Sequence, residues 1–87
     1  MIKGKTKSGF NYQLSKARLE NYELIESLVE VETNPLALPN TVNLLLGKEQ
    51  ADKLKDHLRD EEGLISTQKL SDEIKEIFNN QKELKNS

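Results

Sequence analysis

The apolar positions change period along the chain. Between Ile2 and Leu14 they alternate: Phe10, Tyr12 and Leu14 share one parity, Asn11 and Gln13 the other, and Lys3, Lys5 and Lys7 alternate with Ile2, Gly4 and Thr6. A period of two belongs to a strand, whose successive side chains point to opposite faces. With Ser8-Gly9 as a two-residue turn, the stretch predicts a β-hairpin over residues 2–14. Its aromatic face requires a cover, because two strands alone are marginal in water.

From Leu19 onward the spacing is helical. Leu19, Tyr22, Leu24, Ile25, Leu28, Val29 and Val31 recur at three- and four-residue steps, and Ser15 is placed to cap a first helix running to about Val31. Glu20, Glu23 and Glu30 lie mostly opposite, and early glutamates suit the positive end of a helix dipole. Asn34-Pro35 predicts a cap followed by proline at a first helical position. Pro39 then interrupts, so the expected path is one short turn, a break, and a brief helix from about Pro39 to Leu46 that stops at Gly47.

Residues 48–59 predict a third helix with a narrow stripe of Ala51, Leu54, the Lys55 stem and Leu58. The DEEG turn at 60–63 follows, and Ser66 or Thr67 caps a last helix carrying Leu70, Ile74, Ile77 and Phe78. The predicted fold is mainly α (α+β), an N-terminal β-hairpin followed by three or four short helices. It forms one domain over residues 1–80, with a polar tail at 81–87 expected to fray. Phe10, Tyr12, Leu24, Ile25, Leu28, Ile74 and Phe78 are the expected common core.

Composition narrows the function classes. Of 87 residues 34% are apolar and none is tryptophan, so the core is thin and self-association is a natural source of further burial. Without cysteine, disulfides and thiolate chemistry are excluded. No apolar run reaches the roughly 20 residues that cross a membrane, and MIKGKTKSGF lacks a signal peptide's hydrophobic region. No membrane role is expected, and the expected location is the cytoplasm. Lys3, Lys5, Lys7, Lys16 and Arg18 precede any acidic residue, and Glu20, Glu23, Glu26, Glu30 and Glu32 then follow without a basic one. A phosphate contact is one use of the basic block; a solvated strand edge that resists pairing is the other. With a net charge of −2 and no basic helical face, no nucleic-acid partner is expected.

The residues that carry chemistry are sparse. His57 stands alone on a polar helix and reads as a solvated residue without a role. Asp60, Glu61 and Glu62 before Gly63 lack the alternating ligands of a calcium loop. The glycines at 4, 9, 47 and 63 are too scattered to cradle phosphate. No catalytic residue, metal site or cofactor is expected, and the chain reads as a non-enzyme.

One stretch stands out against the charged background. From Thr33 through Gly47 no side chain ionises, yet Leu36, Ala37, Leu38, Val42, Leu44, Leu45 and Leu46 are apolar. Such a run serves as core or as a surface for a partner. The partner surface expected from it comprises Leu36, Leu38, Val42, Leu45 and Leu46, with Pro35 and Pro39 limiting the ordering cost of binding.

The order of segments adds a resemblance. KGKTKSGFNYQL, then NYELIESLVEVETNPLALPNTVNLLLGKEQADKLKDHLRDEEG, then SDEIKEIF resembles the small tail assembly chaperones of long-tailed bacteriophages and prophages of Gram-positive bacteria. The match covers about residues 3–79 and rests on pattern and order. Its matching positions are structural: Ser8-Gly9-Phe10, Leu44 to Gly47, and His57 to Asp60.

The resemblance implies a cytoplasmic protein of the bacterial host that coats the tape measure protein and keeps it soluble before the tail tube polymerises. It further implies a homo-oligomer, no cofactor, and contact with tail tube protein through a frameshifted longer form in many phages. A structural head–tail joining subunit is the alternative, and a small DNA-binding regulator a more distant one.

Overall fold

A computed structural model describes residues 2–86, with side chains through Gln81. The chain is mainly helical behind an N-terminal hairpin, as the periodicity predicts. Strands β1 (Ile2–Lys5) and β2 (Asn11–Leu14) pair antiparallel, with Ile2 opposite Leu14 and Gly4 opposite Tyr12. Helices α1 (Lys16–Leu19), α2 (Tyr22–Val31), α3 (Leu38–Leu46), α4 (Lys48–Leu58) and α5 (Thr67–Asn86) follow, with a 3-10 turn at Pro35–Ala37.

The hairpin turn is one residue longer than the Ser8-Gly9 pattern predicts. The Gly9 amide donates to the Thr6 carbonyl at 2.9 Å, so Lys7 and Ser8 are the central residues, and Gly9 follows at φ 96°. A turn closed by a left-handed residue fits the twist of the strands, and glycine takes that conformation without a β-carbon clash. The Tyr12 ring lies directly over Gly4, where any β-carbon would overlap its hydroxyl. The outward edge of β2 is closed as well. The Gln50 side chain accepts from the Gln13 amide at 2.7 Å and donates back to the Gln13 carbonyl, substituting for a third strand.

The single helix expected over 15–31 is two helices. Ser15 Oγ accepts from the Arg18 amide at 3.1 Å, and Asn21 Oδ1 accepts from the Glu23 amide at 3.1 Å. Asparagine competes with the helical backbone for its own neighbours, so Asn21 ends α1 and starts α2. The break expected before Pro39 is absent. The 3-10 turn, capped by Asn34, runs straight into α3, whose first turn holds Pro39 where no intrahelical bond is lost. Ser66 Oγ accepts from the Lys69 amide at 3.2 Å and begins α5.

The core is built on α3. Leu38, Val42, Leu45 and Leu46 pack with Phe10, Tyr12 and Leu14 of the hairpin, Leu24 of α2, Leu54 of α4, and Ile74 and Ile77 of α5. Three members of the predicted core lie at its margin or outside it. Ile25 is exposed, and Leu28 and Phe78 are half-buried. They lost their places because α3, not α2, is the element the others surround. The expectation of a frayed tail at 81–87 falls, from residue 82 on, outside the described side chains. Gln81 itself is buried and donates to the Tyr12 hydroxyl at 3.0 Å.

A candidate partner-binding groove between α2 and α5

Four of the five residues expected to form a partner surface are in the core. Leu38, Val42, Leu45 and Leu46 are buried, and only Leu36, on the 3-10 turn, stands out at 86% exposure. The correction has a simple cause. A nine-residue helix with leucine or valine at 38, 42, 45 and 46 turns all of them to one side, and the hairpin and the four other helices close over that side. Leu36 precedes the helix and does not share its face.

The exposed apolar surface lies on α2 instead. Tyr22 is 70% exposed, Val29 67% and Ile25 38%. At steps of three and four they form one stripe along the helix. The stripe exists because α2 has more apolar residues than its packing consumes: Leu24 and Ser27 face inward, with Leu28 and Val31 half-buried beside them. Ile25, Leu28 and Val29 form one wall of a groove of about 500 Å³, and Phe78 and Asn79 of α5 form the other. An ion pair between Lys75 and Glu32 at 3.2 Å borders it. Apolar atoms dominate the lining.

Along the neighbouring side of α2 runs a row of Glu23, Glu26 and Glu30, all exposed. Among the described residues no lysine or arginine forms an ion pair with these three. Beyond the row, Leu36 and Leu44 line a smaller cavity of about 420 Å³ together with the same glutamates. The acidic row is thus bordered by apolar surface on both sides.

A second polar constellation, which the sequence did not announce, holds the hairpin turn. Glu73 on α5 is buried, and its Oε1 accepts from Thr6 Oγ1 at 2.8 Å and from Ser8 Oγ at 2.9 Å. The Lys7 amide donates to Glu76 at 2.8 Å. His57 Nε2 lies 3.1 Å from both the carbonyl and the hydroxyl oxygen of Ser8, and its ring tilts against Phe10 at 5.7 Å. A carbonyl can only accept, so Nε2 carries the proton, and the Ser8 hydroxyl gives its own proton to Glu73. With that donor order the Ser8–His57 pair acts as a tether.

His57, read from sequence as having no role, therefore ties α4 to the hairpin. His57→Ala is expected to cost about 0.5–1.5 kcal/mol, the usual worth of one partly exposed hydrogen bond. Urea denaturation checks this, and an unchanged midpoint with an unchanged slope would show that the tether contributes nothing.

Other surfaces are less organised. A cavity of about 640 Å³ beside the start of α4 gathers Lys3, Arg18, Lys48 and Lys53, and Arg18 is engaged there by the carbonyls of Asn43 and Leu44, both at 3.2 Å. Among the described residues no three acidic, histidine or cysteine side chains are grouped to hold a metal ion, and no helix is long and apolar enough to cross a membrane. Comparison with known proteins adds no relative: no family model, curated protein or solved structure matches this chain.

Proposed function

We propose that the chain is a tail assembly chaperone of the long-tailed-phage class, which binds helical segments of a tape measure protein and keeps them soluble until the tail tube forms. The observation that carries the reading is the exposed stripe of Tyr22, Ile25 and Val29, of which Ile25 and Val29 line the α2–α5 groove. Elsewhere the chain pairs its buried polar groups and leaves none without a hydrogen-bond partner among the described residues. An apolar row left open in such a domain is a surface suited to a partner. A groove between two helices accepts a third helix by its apolar face, the mode that shields an aggregation-prone helical client. The resemblance in segment order supplies the client's identity. Low affinity at each site suits the role, because many copies along one client gain strength by multivalency and still leave as tube subunits arrive.

Coexpression tests the proposal. A tape measure gene is expected immediately downstream of this one, and its product is expected to shift from pellet to supernatant when this chain is present. Val29→Asp, at an exposed position, abolishes that shift while circular dichroism and melting stay near wild type. A tape measure protein equally soluble with and without this chain would refute the chaperone function.

A further inference from the structure

We infer that the α2–α5 groove selects a basic amphipathic helix, whose apolar residues seat against Ile25, Val29 and Phe78 and whose lysines or arginines lie along Glu23, Glu26 and Glu30. The inference rests on the partner-binding reading above and adds the chemistry of the partner. Its basis is the one-sided charge of the site. On the groove's far side Glu32 is already matched by Lys75 at 3.2 Å. On the near side Glu23, Glu26 and Glu30 repeat at the same three- and four-residue steps as Tyr22, Ile25 and Val29, displaced by one residue. A helix lying along α2 therefore meets an apolar row and a parallel acidic row, and complementary charge on its own flank fixes both its register and its direction.

The same charge argues against a second copy of this chain in the groove. In a two-fold antiparallel pairing of α2 stripes, both acidic rows fall on the same side of the interface and repel. The accessible length is set by α2, whose 10 residues span about 15 Å at 1.5 Å per residue, so one site reads two to three turns of its partner.

Fluorescence anisotropy with synthetic helical peptides tests the inference directly. Two peptides share leucines at i, i+3 and i+7 and differ only in carrying lysine or glutamate on one flank. The lysine peptide is expected to bind at least about tenfold more tightly at low salt, and the preference collapses near 1 M salt, where the Debye length is about 3 Å. Val29→Asp abolishes binding of both peptides. The triple exchange Glu23→Gln, Glu26→Gln, Glu30→Gln removes the preference but keeps apolar binding, with circular dichroism confirming that α2 survives.

Equal binding of the two peptides, or binding indifferent to Val29→Asp, overturns the inference. So does a wild-type dimer in sedimentation that Val29→Asp converts to monomer, since a second copy then occupies the groove. Loss of the lysine preference with client solubilisation intact rejects the charge selection and leaves the chaperone function standing. Tight, charge-selective peptide binding with no effect on the tape measure protein rejects the chaperone function alone.

Discussion

Leu38→Glu is expected to leave no cooperatively folded protein at room temperature, whereas Leu36→Glu, two residues earlier, changes the unfolding free energy by no more than about 0.5 kcal/mol. Leu38 is 3% exposed and belongs to the central cluster. Removing its side chain from such a site costs about 2–5 kcal/mol, and burying a carboxylate without a partner adds several more. A domain of this length has a total stability of roughly 4–13 kcal/mol, so the sum consumes most or all of it. Leu36 is open to solvent, and glutamate there loses no packing. Denaturant titration of the two variants checks the contrast. A folded Leu38→Glu protein with a near-native melting point would place α3 at an interface and disprove the core described above.

Glu73→Ala should release the hairpin from α5 and lower stability by about 2–4 kcal/mol, the scale of two charge-assisted hydrogen bonds partly replaced by water. Thr6 is buried, so its hydroxyl loses its acceptor with little access to solvent. Ser8 is exposed and recovers a water, which is why the loss falls short of two full bonds. Glu73→Gln keeps a carbonyl oxygen where Oε1 now stands and is expected to retain more than half of the stabilisation. The Lys7 amide bond to Glu76 survives either change. Hydrogen exchange at the Thr6 and Phe10 amides reports the release locally, because both amides are bonded within the turn. Unaltered protection there in Glu73→Ala would show that the turn closes without the carboxylate.

The buried polar residues explain why these effects are large. Thr6, Ser27, Thr41, Glu73 and Gln81 all sit inside. Each is satisfied by a residue from another element: Thr6 by Glu73, Ser27 by Thr41, and Gln81 by Tyr12. Mutual pairing lets a thin aliphatic core tolerate them, since an unpaired buried hydroxyl or carboxylate would cost more than the adjacent leucines contribute. It also makes the packing specific: slipping α5 by one turn against the hairpin would break the Thr6 and Tyr12 contacts together.

Local chemistry was enough to specify most of the elements, though not every boundary. Alternation marked the hairpin, the caps Ser15, Asn34 and Ser66 marked helix starts, and Gly47 marked the end of α3, because each acts through neighbours within four residues. Asn21 was a cap of the same kind, but the apolar rhythm of Leu19, Tyr22 and Leu24 runs across it and hides the break between α1 and α2.

Glu73 and Gln81 also left a trace, since they share the face of Leu70, Ile74 and Ile77 at helical steps and so occupy core positions with polar side chains. Their partners are 67 and 69 residues away, and no local pattern names them. Which apolar face stays open was likewise a tertiary decision. Both α2 and α3 carry more leucine, isoleucine and valine than an exposed helix needs. The hairpin, α4 and α5 close around α3, and that leaves the outer row of α2 in solvent beside its glutamates. Periodicity assigns a face to each helix. Only the competition of all the faces for one small interior decides which of them is buried.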